Sequence, residues 1–125
     1  MKKIINTQNS PAPIVPYSQA VLSNGTLYMS GQIAISPKDG ELKTASIEME
    51  TRQVMSNMEA VLIAADMHWK DVVKCSIYLS DMNTFAEINK IYAEYFKTNP
   101  PARETVEVSK LPKGVNVEIS CIASK

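Results

Sequence analysis

The stretch that decides the fold is Pro101–Ile119, with the sequence PARETVEVSKLPKGVNVEI. It contains two runs of alternating polar and apolar residues, which predict strands near residues 103–109 and 115–123. The segment Lys110–Gly114 between them is short and contains turn-forming residues. Two strands with so short a connection usually pair as an antiparallel hairpin. The stretch therefore predicts a hairpin near the C-terminal end of the chain.

Alternation also sorts the side chains of this predicted hairpin into two faces. The apolar face carries Val106, Val108, Val115, Val117, Ile119 and Cys121, and the polar face carries Arg103, Thr105, Glu107, Asn116, Glu118 and Ser120. With a symmetric loop, Thr105 pairs across from Glu118, and Arg103 becomes a diagonal neighbour of that glutamate.

The predicted proximity of an arginine and an acid has a chemical and a structural interpretation. Arg103 on a rigid strand can bind a carboxylate through two parallel hydrogen bonds, and Glu118 can orient or deprotonate a water. Such a pocket would hydrolyse a small organic acid without a cofactor. The alternative is an exposed ion pair that contributes little to stability. Glu107 lies on the same predicted face, and spacing alone does not choose between the two acids.

The earlier part of the chain contains three further strand signals. Asn24-Gly25 is a strong two-residue hairpin signal and predicts strands at 20–23 and 26–35. Pro37–Gly40 is predicted to form a turn. The alternation in Asp71–Leu79 predicts another strand, whose apolar phase comprises Val73, Cys75, Ile77 and Leu79.

Two helices are predicted from apolar residues at helical spacing. The first spans 47–65, with Ser46 as a candidate N-cap, and its acidic residues Glu48 and Glu50 complement the positive helix end. The second spans about 83–97 and must end before the prolines that follow.

The resulting element order, β-β-α-β-α-β-β, predicts an α+β fold with a mixed sheet and two helices on one face. The 125 residues contain no linker, repeat or low-complexity tract, so one domain is expected over residues 1–125. The other sheet face would be left open. An open and partly apolar sheet face favours oligomerisation.

Composition argues against several classes of protein. The 13 basic and 13 acidic residues give a net charge of +0, and the densest basic cluster is Lys2-Lys3, which argues against nucleic-acid binding. Cys75 and Cys121 fall on apolar strand phases and are interpreted as reduced core thiols. His68 is the only histidine, which argues against a metal site.

The chain shows no apolar signal core at its N-terminus and no stretch of membrane-spanning length. We therefore expect a soluble cytoplasmic protein without a membrane partner. An organelle reached after removal of a transit peptide remains an alternative.

Two more segments are candidates for a binding site. In Pro16–Ala20, the Tyr17 hydroxyl could face a pocket, or its ring could cover an edge of the core. In Ser30-Gly31-Gln32, a glycine inside an apolar strand indicates either close approach of a ligand or backbone, or a β-bulge.

Several short motifs occur in the order seen in one known family. They are PYSQA at 16–20, MSGQ at 29–32, the helix segment 54–65, Asp81-Met82 with Asn89 and Tyr92, PAR at 101–103, Leu111-Pro112, and Val117-Glu118-Ile119. On these residues, essentially the whole chain resembles the RidA/YjgF/UK114 family of enamine/imine deaminases.

The resemblance implies a chorismate-mutase-like α+β fold, assembled as a homotrimer with clefts between subunits. It implies hydrolysis of 2-aminoacrylate, its tautomer 2-iminopropanoate, and 2-iminobutanoate to 2-oxo acids and ammonia, with no cofactor. It also implies site residues: a carboxylate-binding arginine at Arg103, a water-positioning acid at Glu118, and cleft residues at Tyr17, Ser30, Gly31 and Asn89.

The chain departs from the family pattern at four positions. Thr105 stands where cysteine is frequent, and it retains one hydrogen-bond donor for substrate. Glu104 replaces a common serine and could place a charge near the cleft rim. Val15 replaces a usual glycine, so the Tyr17 loop could be set differently, and Ser120 replaces a frequent acid. These departures bear on substrate preference more than on the reaction class.

Two other functions remain open at this stage. One is a non-catalytic module that binds small carboxylic acids through Arg103. The other is an RNA-acting or translation-inhibiting protein, as described for some relatives, against which the neutral charge argues.

Overall fold

The computed structural model describes residues 1–14 and 16–125. The main elements in chain order are β1 (Lys2–Ile5), β2 (Ala20–Ser23), β3 (Thr26–Gln32), α1 (Ile47–Ala64), β4 (Val72–Leu79), α2 (Phe85–Ala93), β5 (Ala102–Glu107) and β6 (Val117–Ser124). Short 3-10 turns lie at Trp69–Asp71, Met82–Thr84 and Pro112–Gly114. Six strands in one mixed sheet with two helices confirm the predicted α+β class. Val15, which was expected to change how the Tyr17 loop is set, lies outside the described residues.

Both helices form where the apolar spacing predicts them. In α1, the Ser46 side chain accepts a hydrogen bond from the Met49 backbone N–H at 3.1 Å, which confirms the predicted N-cap. The second helix is shorter than the predicted 83–97, because a 3-10 turn replaces its first residues. Phe96 lies beyond its end and still packs into the core.

The sheet has the strand order β1-β2-β3-β6-β4-β5, in which only β4 and β5 are parallel. The β2–β3 hairpin turns at Asn24 and Gly25, with φ of 51° and 79°, as this dipeptide predicts. The four-residue edge strand β1 was not predicted, since Lys2-Lys3 gives it no alternating pattern.

The predicted C-terminal hairpin is wrong. Strand β4 lies between β5 and β6, so Arg103 is registered with Cys75, and Glu118 with Tyr78. Thr105 does not face Glu118, because its partner is Ile77. In this arrangement β6 pairs along both edges, with β3 and β4, and buries more backbone than a local hairpin would.

The faces assigned to β5 are also wrong, because registered residues share a sheet face. Arg103 and Thr105 are paired with buried Cys75 and Ile77, and therefore lie on the side that the helices cover. Val106 lies on the opposite side and is 40% exposed. Arg103 and Glu118 consequently lie on opposite faces of the sheet.

A second phase error occurs at the start of β4. The register with β6 shifts between Val72 and Lys74, so one residue bulges out of the ladder. As a result Val72 is buried and Val73 is 49% exposed, which reverses the predicted phase at this point. From Cys75 to Leu79 the predicted alternation is confirmed.

The core lies between the helices and one face of the sheet. It contains mainly side chains from α1, α2, β3, β4 and β6, with Val54, Met55, Met58, Leu62, Ile77, Leu79 and Ile119 almost completely buried. The other face presents exposed Tyr28, Val73 and Val106. Within the described residues, no helix is long and apolar enough to cross a membrane.

Candidate active site

The Glu118 carboxyl lies in a cleft of about 450 Å³ on the sheet face opposite the helices. Its walls come from the N-terminal loop, the β3 end and the Pro112–Gly114 turn, and include Ala12, Ile14, Tyr17, Ser30, Gly31, Ile33, Ile35, Pro112 and Lys113. Four predicted site residues, Tyr17, Ser30, Gly31 and Glu118, therefore share one cleft. Most of the remaining wall is apolar.

A β-bulge in β3 brings Gly31 against Glu118. The register with β6 shifts between Met29 and Gln32, so Ser30 and Gly31 together oppose a single residue. A Cβ at Gly31 would lie 2.7 Å from Glu118 Cδ and nearer still to a carboxylate oxygen. Only glycine leaves room for the carboxyl group in this position. The bulge predicted for the Ser30–Gln32 segment is confirmed, whereas the group that approaches Gly31 is a side chain and not the ligand or backbone that the sequence suggested.

Burial changes the acidity of this carboxyl group. Glu118 is half-buried, and loss of water around it raises its pKa above the ordinary value of 4.5. In the described part of the chain, it forms no ion pair that would offset this effect. A carboxylate with raised pKa and access to a cleft is suited to accept a proton.

Two buried glutamines hold the loop that carries Tyr17, which is itself 52% exposed. The Gln19 side chain accepts a hydrogen bond from the Thr7 backbone N–H at 2.8 Å and donates one to the Pro11 carbonyl at 2.8 Å. Gln32 accepts one from the Ser10 hydroxyl at 3.1 Å. Sequence reasoning quoted both glutamines within motifs and gave neither a role, since pairing with a distant loop leaves no local pattern.

Arg103 lies in a different cleft, of about 460 Å³, between the start of β5 and α2. Its guanidinium carbon is 5.4 Å from the Phe85 ring centroid and 5.0 Å from that of Tyr92. Nη1 donates a hydrogen bond to Asn89 Oδ1 at 2.7 Å. In the described chain Nη2 and Nε have no partner. The two rings and the Asn89 amide thus orient the guanidinium, and its edge with Nη2 and Nε is available to a carboxylate.

Glu104 and Thr105, which follow Arg103 in β5, lie in different surroundings. The Thr105 hydroxyl is buried and has no hydrogen-bond partner among the described residues. Glu104 points to the opposite sheet face, where it pairs with Lys74 at 3.1 Å and accepts a hydrogen bond from Ser76. Within one chain, the Glu104 charge therefore lies across the sheet from the Arg103 cleft.

The predicted site residues thus lie in two separate clefts of one chain. Arg103 and Asn89 lie in the cleft beside α2, whereas Tyr17, Ser30, Gly31 and Glu118 lie in the other. The sequence-based expectation that Arg103 neighbours Glu118 within one hairpin is therefore wrong.

The cysteines contribute to the core. Cys75 and Cys121 are both buried and free, and burial raises the pKa of each thiol. This agrees with their interpretation as reduced core residues. Among the described residues, no group of three or more His, Cys, Asp or Glu side chains could hold a metal ion.

Known proteins resemble this chain along its whole length. A RutC family protein of Pyrococcus horikoshii is 51% identical over 125 residues, which is 100% of this chain and 99% of that protein. The human protein named 2-iminobutanoate/2-iminopropanoate deaminase is 42% identical over 98% of this chain and 90% of its own length. The structure of Escherichia coli TdcF with bound serine superposes with a TM-score of 0.94 at 36% identity and covers 98% of each chain.

A family profile described as Endoribonuclease L-PSP matches residues 7–125. This is the profile of the proteins whose motifs the chain carries at PYSQA, SGQ and PAR. Together with the relatives above, the match shows that the chain belongs to the Endoribonuclease L-PSP family, also known as the RidA/YjgF/UK114 family.

Proposed function

We propose that this protein hydrolyses small, reactive 2-imino acids to 2-oxo acids and ammonia, at a site shared between copies of the chain. The observation that carries the proposal is the pair of half-sites. An arginine with one free guanidinium edge lies in one cleft, and a half-buried carboxyl group lies in the other. The mammalian relatives named 2-iminobutanoate/2-iminopropanoate deaminase support the reaction class.

The positions of the half-sites support an oligomer, and we propose a homotrimer with clefts between subunits. Within one chain Arg103 and Glu118 lie on opposite faces of the sheet, so one substrate molecule cannot contact both. A second copy can bring its Arg103 to the Glu118 cleft of the first. The exposed sheet face, with Tyr28, Val73 and Val106, offers apolar surface for such an assembly.

Arg103 is proposed to bind the substrate carboxylate. The guanidinium lies against the rings of Phe85 and Tyr92, and Asn89 holds Nη1. A carboxylate can then pair with the edge that carries Nη2 and Nε, in the plane of the group. This geometry favours a bidentate pair and fixes the direction in which the imine carbon projects.

Glu118 is proposed to activate water. A water held by the carboxylate attacks the imine carbon C2, its oxygen forms the new C–O bond, and its proton passes to Glu118. As the water adds, the C=N π electron pair moves to the nitrogen, which takes this proton from Glu118 to give a carbinolamine. Glu118 then passes the proton of the carbinolamine hydroxyl to the nitrogen, the C2–N bond breaks with its electron pair on nitrogen, and ammonia leaves as the carbonyl forms. Since imines react readily with water, positioning and a nearby base are sufficient catalysis. Tyr17, Ser30 and Gly31 would form the wall around the reacting carbon, and Thr105 would support the Arg103 end of the substrate.

A coupled assay tests the reaction. A threonine dehydratase generates 2-iminobutanoate, and the rate of 2-oxobutanoate formation is followed with and without the protein. We expect acceleration by the native protein and none by Arg103→Ala. Arg103→Lys should also lose most activity, because a single ammonium cannot make the bidentate pair. Turnover near the native level in a folded Arg103→Lys variant would refute the role of the guanidinium.

Mixing two inactive variants tests the shared site. Arg103→Ala and Glu118→Gln are unfolded together, refolded as mixed oligomers and assayed. If each site takes its arginine and its glutamate from different copies, random mixing restores roughly a quarter of the sites. Each variant refolded alone is the control. No recovery, in mixtures shown by mass spectrometry to contain both chains, would contradict a site between subunits.

A non-catalytic binding module is the second candidate, and serine bound in the TdcF structure favours it by showing an amino acid held on this fold. Binding of 2-oxobutanoate that needs Arg103, without acceleration of imine hydrolysis, would support this alternative. The family profile carries the word endoribonuclease. Steeply salt-dependent RNA binding and RNA cleavage would be required for that activity, and the net charge of +0 argues against it.

A further inference from the structure

Glu50 is a fully buried acid with an unusual set of partners. It lies in the first turn of α1, and its side chain is 0% exposed. Its Oε2 accepts hydrogen bonds from the backbone N–H groups of Asn116 at 2.7 Å and Val117 at 3.2 Å. Its Oε1 accepts a third from the Asn116 side chain at 2.7 Å. The carboxyl group thus binds the segment at the start of β6, although the sequence pattern predicted only a role at the helix end.

A buried carboxyl group is costly to desolvate unless its oxygens are satisfied. Glu50 forms no ion pair with any cation in the described part of the chain. All three of its observed donors belong to two consecutive residues that lie 66 and 67 positions away. Such concentration on one short segment indicates that the acid fixes that segment in place.

The segment needs an external partner because it follows an irregular turn. Lys113 has φ of 57°, and regular β6 pairing starts only at Val117. On its other side, the Asn116 carbonyl accepts a hydrogen bond from the Ser80 backbone N–H at 3.1 Å, just after β4. Asn116 is therefore held between α1 and the β4 end, and the next residue but one is Glu118.

We propose that Glu50 is a positioning residue that sets where the Glu118 carboxyl group lies. By holding the Asn116 and Val117 backbone, it fixes the direction in which β6 leaves the turn. That direction places the Glu118 side chain against Gly31, so closely that there is no room for a Cβ on Gly31. The catalytic consequence rests on the proposed deaminase function, whereas the structural consequence does not.

Substitutions at Glu50 separate positioning from general stability. In Glu50→Gln the amide oxygen can still accept from both backbone N–H groups, while the Asn116 amide turns its oxygen towards the new NH₂. In Glu50→Leu the volume stays similar, but both backbone donors lose their acceptor. Thr51→Val, one residue along the same helix, is the matched control, because it alters a buried side chain that makes no contact with β6 through hydrogen bonds.

We expect Glu50→Leu to lower kcat roughly ten- to hundredfold with little change in KM, since a displacement of about 1 Å is costly and the Arg103 clamp is untouched. Glu50→Gln and Thr51→Val should stay within about threefold of the native kcat. A loss of tenfold or more in Glu50→Leu is clearly distinguishable from that range. All rates are normalised to folded, assembled protein. A native kcat in Glu50→Leu, or an equal loss in Thr51→Val, would overturn the proposal.

A crystal structure of Glu50→Leu gives a readout that does not depend on turnover. The proposal expects the Glu118 carboxyl to move away from Gly31 and the Asn116–Val117 backbone to shift. An unmoved Glu118 would overturn it. If the native protein has no imine turnover, the deaminase function fails, and the position of Glu118 in the variant still decides whether Glu50 fixes it.

Discussion

The contact between Gly31 and Glu118 yields the sharpest prediction. In Gly31→Ala the new Cβ would lie 2.7 Å from Glu118 Cδ and 3.0 Å from Cγ. Non-bonded carbons prefer about 3.5–4.0 Å, so the carboxyl group must retreat by about 1 Å. Because Glu118 is a flexible side chain at a cleft, it can rotate away while the backbone stays in place.

The size of the effect follows from this displacement. A catalytic group misplaced by about 1 Å loses on the order of a hundredfold in rate. Stability should change little, because the Gly31 backbone lies outside the left-handed region and tolerates alanine. Removal of a glycine also restricts the unfolded chain, which offsets the cost by about 0.4–1 kcal/mol.

The assay is the coupled dehydratase reaction, with thermal unfolding to check that Gly31→Ala is folded. A double-mutant cycle with Glu118→Gln supplies the control. Once the carboxylate is absent, adding the methyl group should have no further effect on the residual rate. A Gly31→Ala rate within about twofold of native would refute the reasoning, since so small a change cannot accompany the expected loss of alignment.

Four other predictions concern charge and burial. Burial raises the pKa of Glu118, so the imine hydrolysis rate should rise with pH above the ordinary carboxyl value of 4.5 and level off once the group is ionised. A rate that depends on Glu118 but does not change with pH in this range would contradict the prediction. The folded state holds this proton more tightly than the unfolded chain, so stability falls as pH rises from 4.5 to the raised pKa, and denaturant unfolding should show that Glu118→Gln removes this loss. Thr51→Val should raise the free energy of unfolding by about 1 kcal/mol, because the Thr51 hydroxyl is buried without a partner; a decrease in a urea titration would show a hidden partner. Arg52, whose fork binds Glu94 through two 3.1 Å contacts, is exposed, so Arg52→Gln should lower Tm slightly at low salt and not at high salt, and a salt-independent loss would point to a packing role.

Local sequence patterns predicted the elements much better than their pairing. The α1 boundaries, its Ser46 cap and the Asn24-Gly25 turn all depend on residues close together in sequence, and all three are confirmed. The C-terminal hairpin was also predicted from residues close together in sequence. Its two strands are instead separated by β4, which lies more than 20 positions before β5. Alternation shows that a segment forms a strand and carries no information on which neighbour it pairs with.

The site shows the same division between local and distant determinants. Gly31 and the Ser30 bulge could be suspected because glycine inside a strand is a local anomaly. Glu50 could not, because an acid in the first turn of a helix already has an ordinary explanation in the helix dipole. Its actual partners lie 66 and 67 positions away, and three hydrogen bonds to one segment become visible only after folding.

The strand order also determines which assembly a shared site requires. Had β5 and β6 formed a hairpin, Arg103 and Glu118 would share a face, and a monomer would suffice for catalysis. With β4 between them, their side chains project to opposite sides, and the sheet itself separates Arg103 from Glu118. A catalytic role for both residues therefore requires a second copy of the chain. This requirement connects the proposed mechanism to an oligomer, because recovery of activity in mixed variants would support a site shared between copies. Its absence would count against Arg103 and Glu118 acting on one substrate molecule.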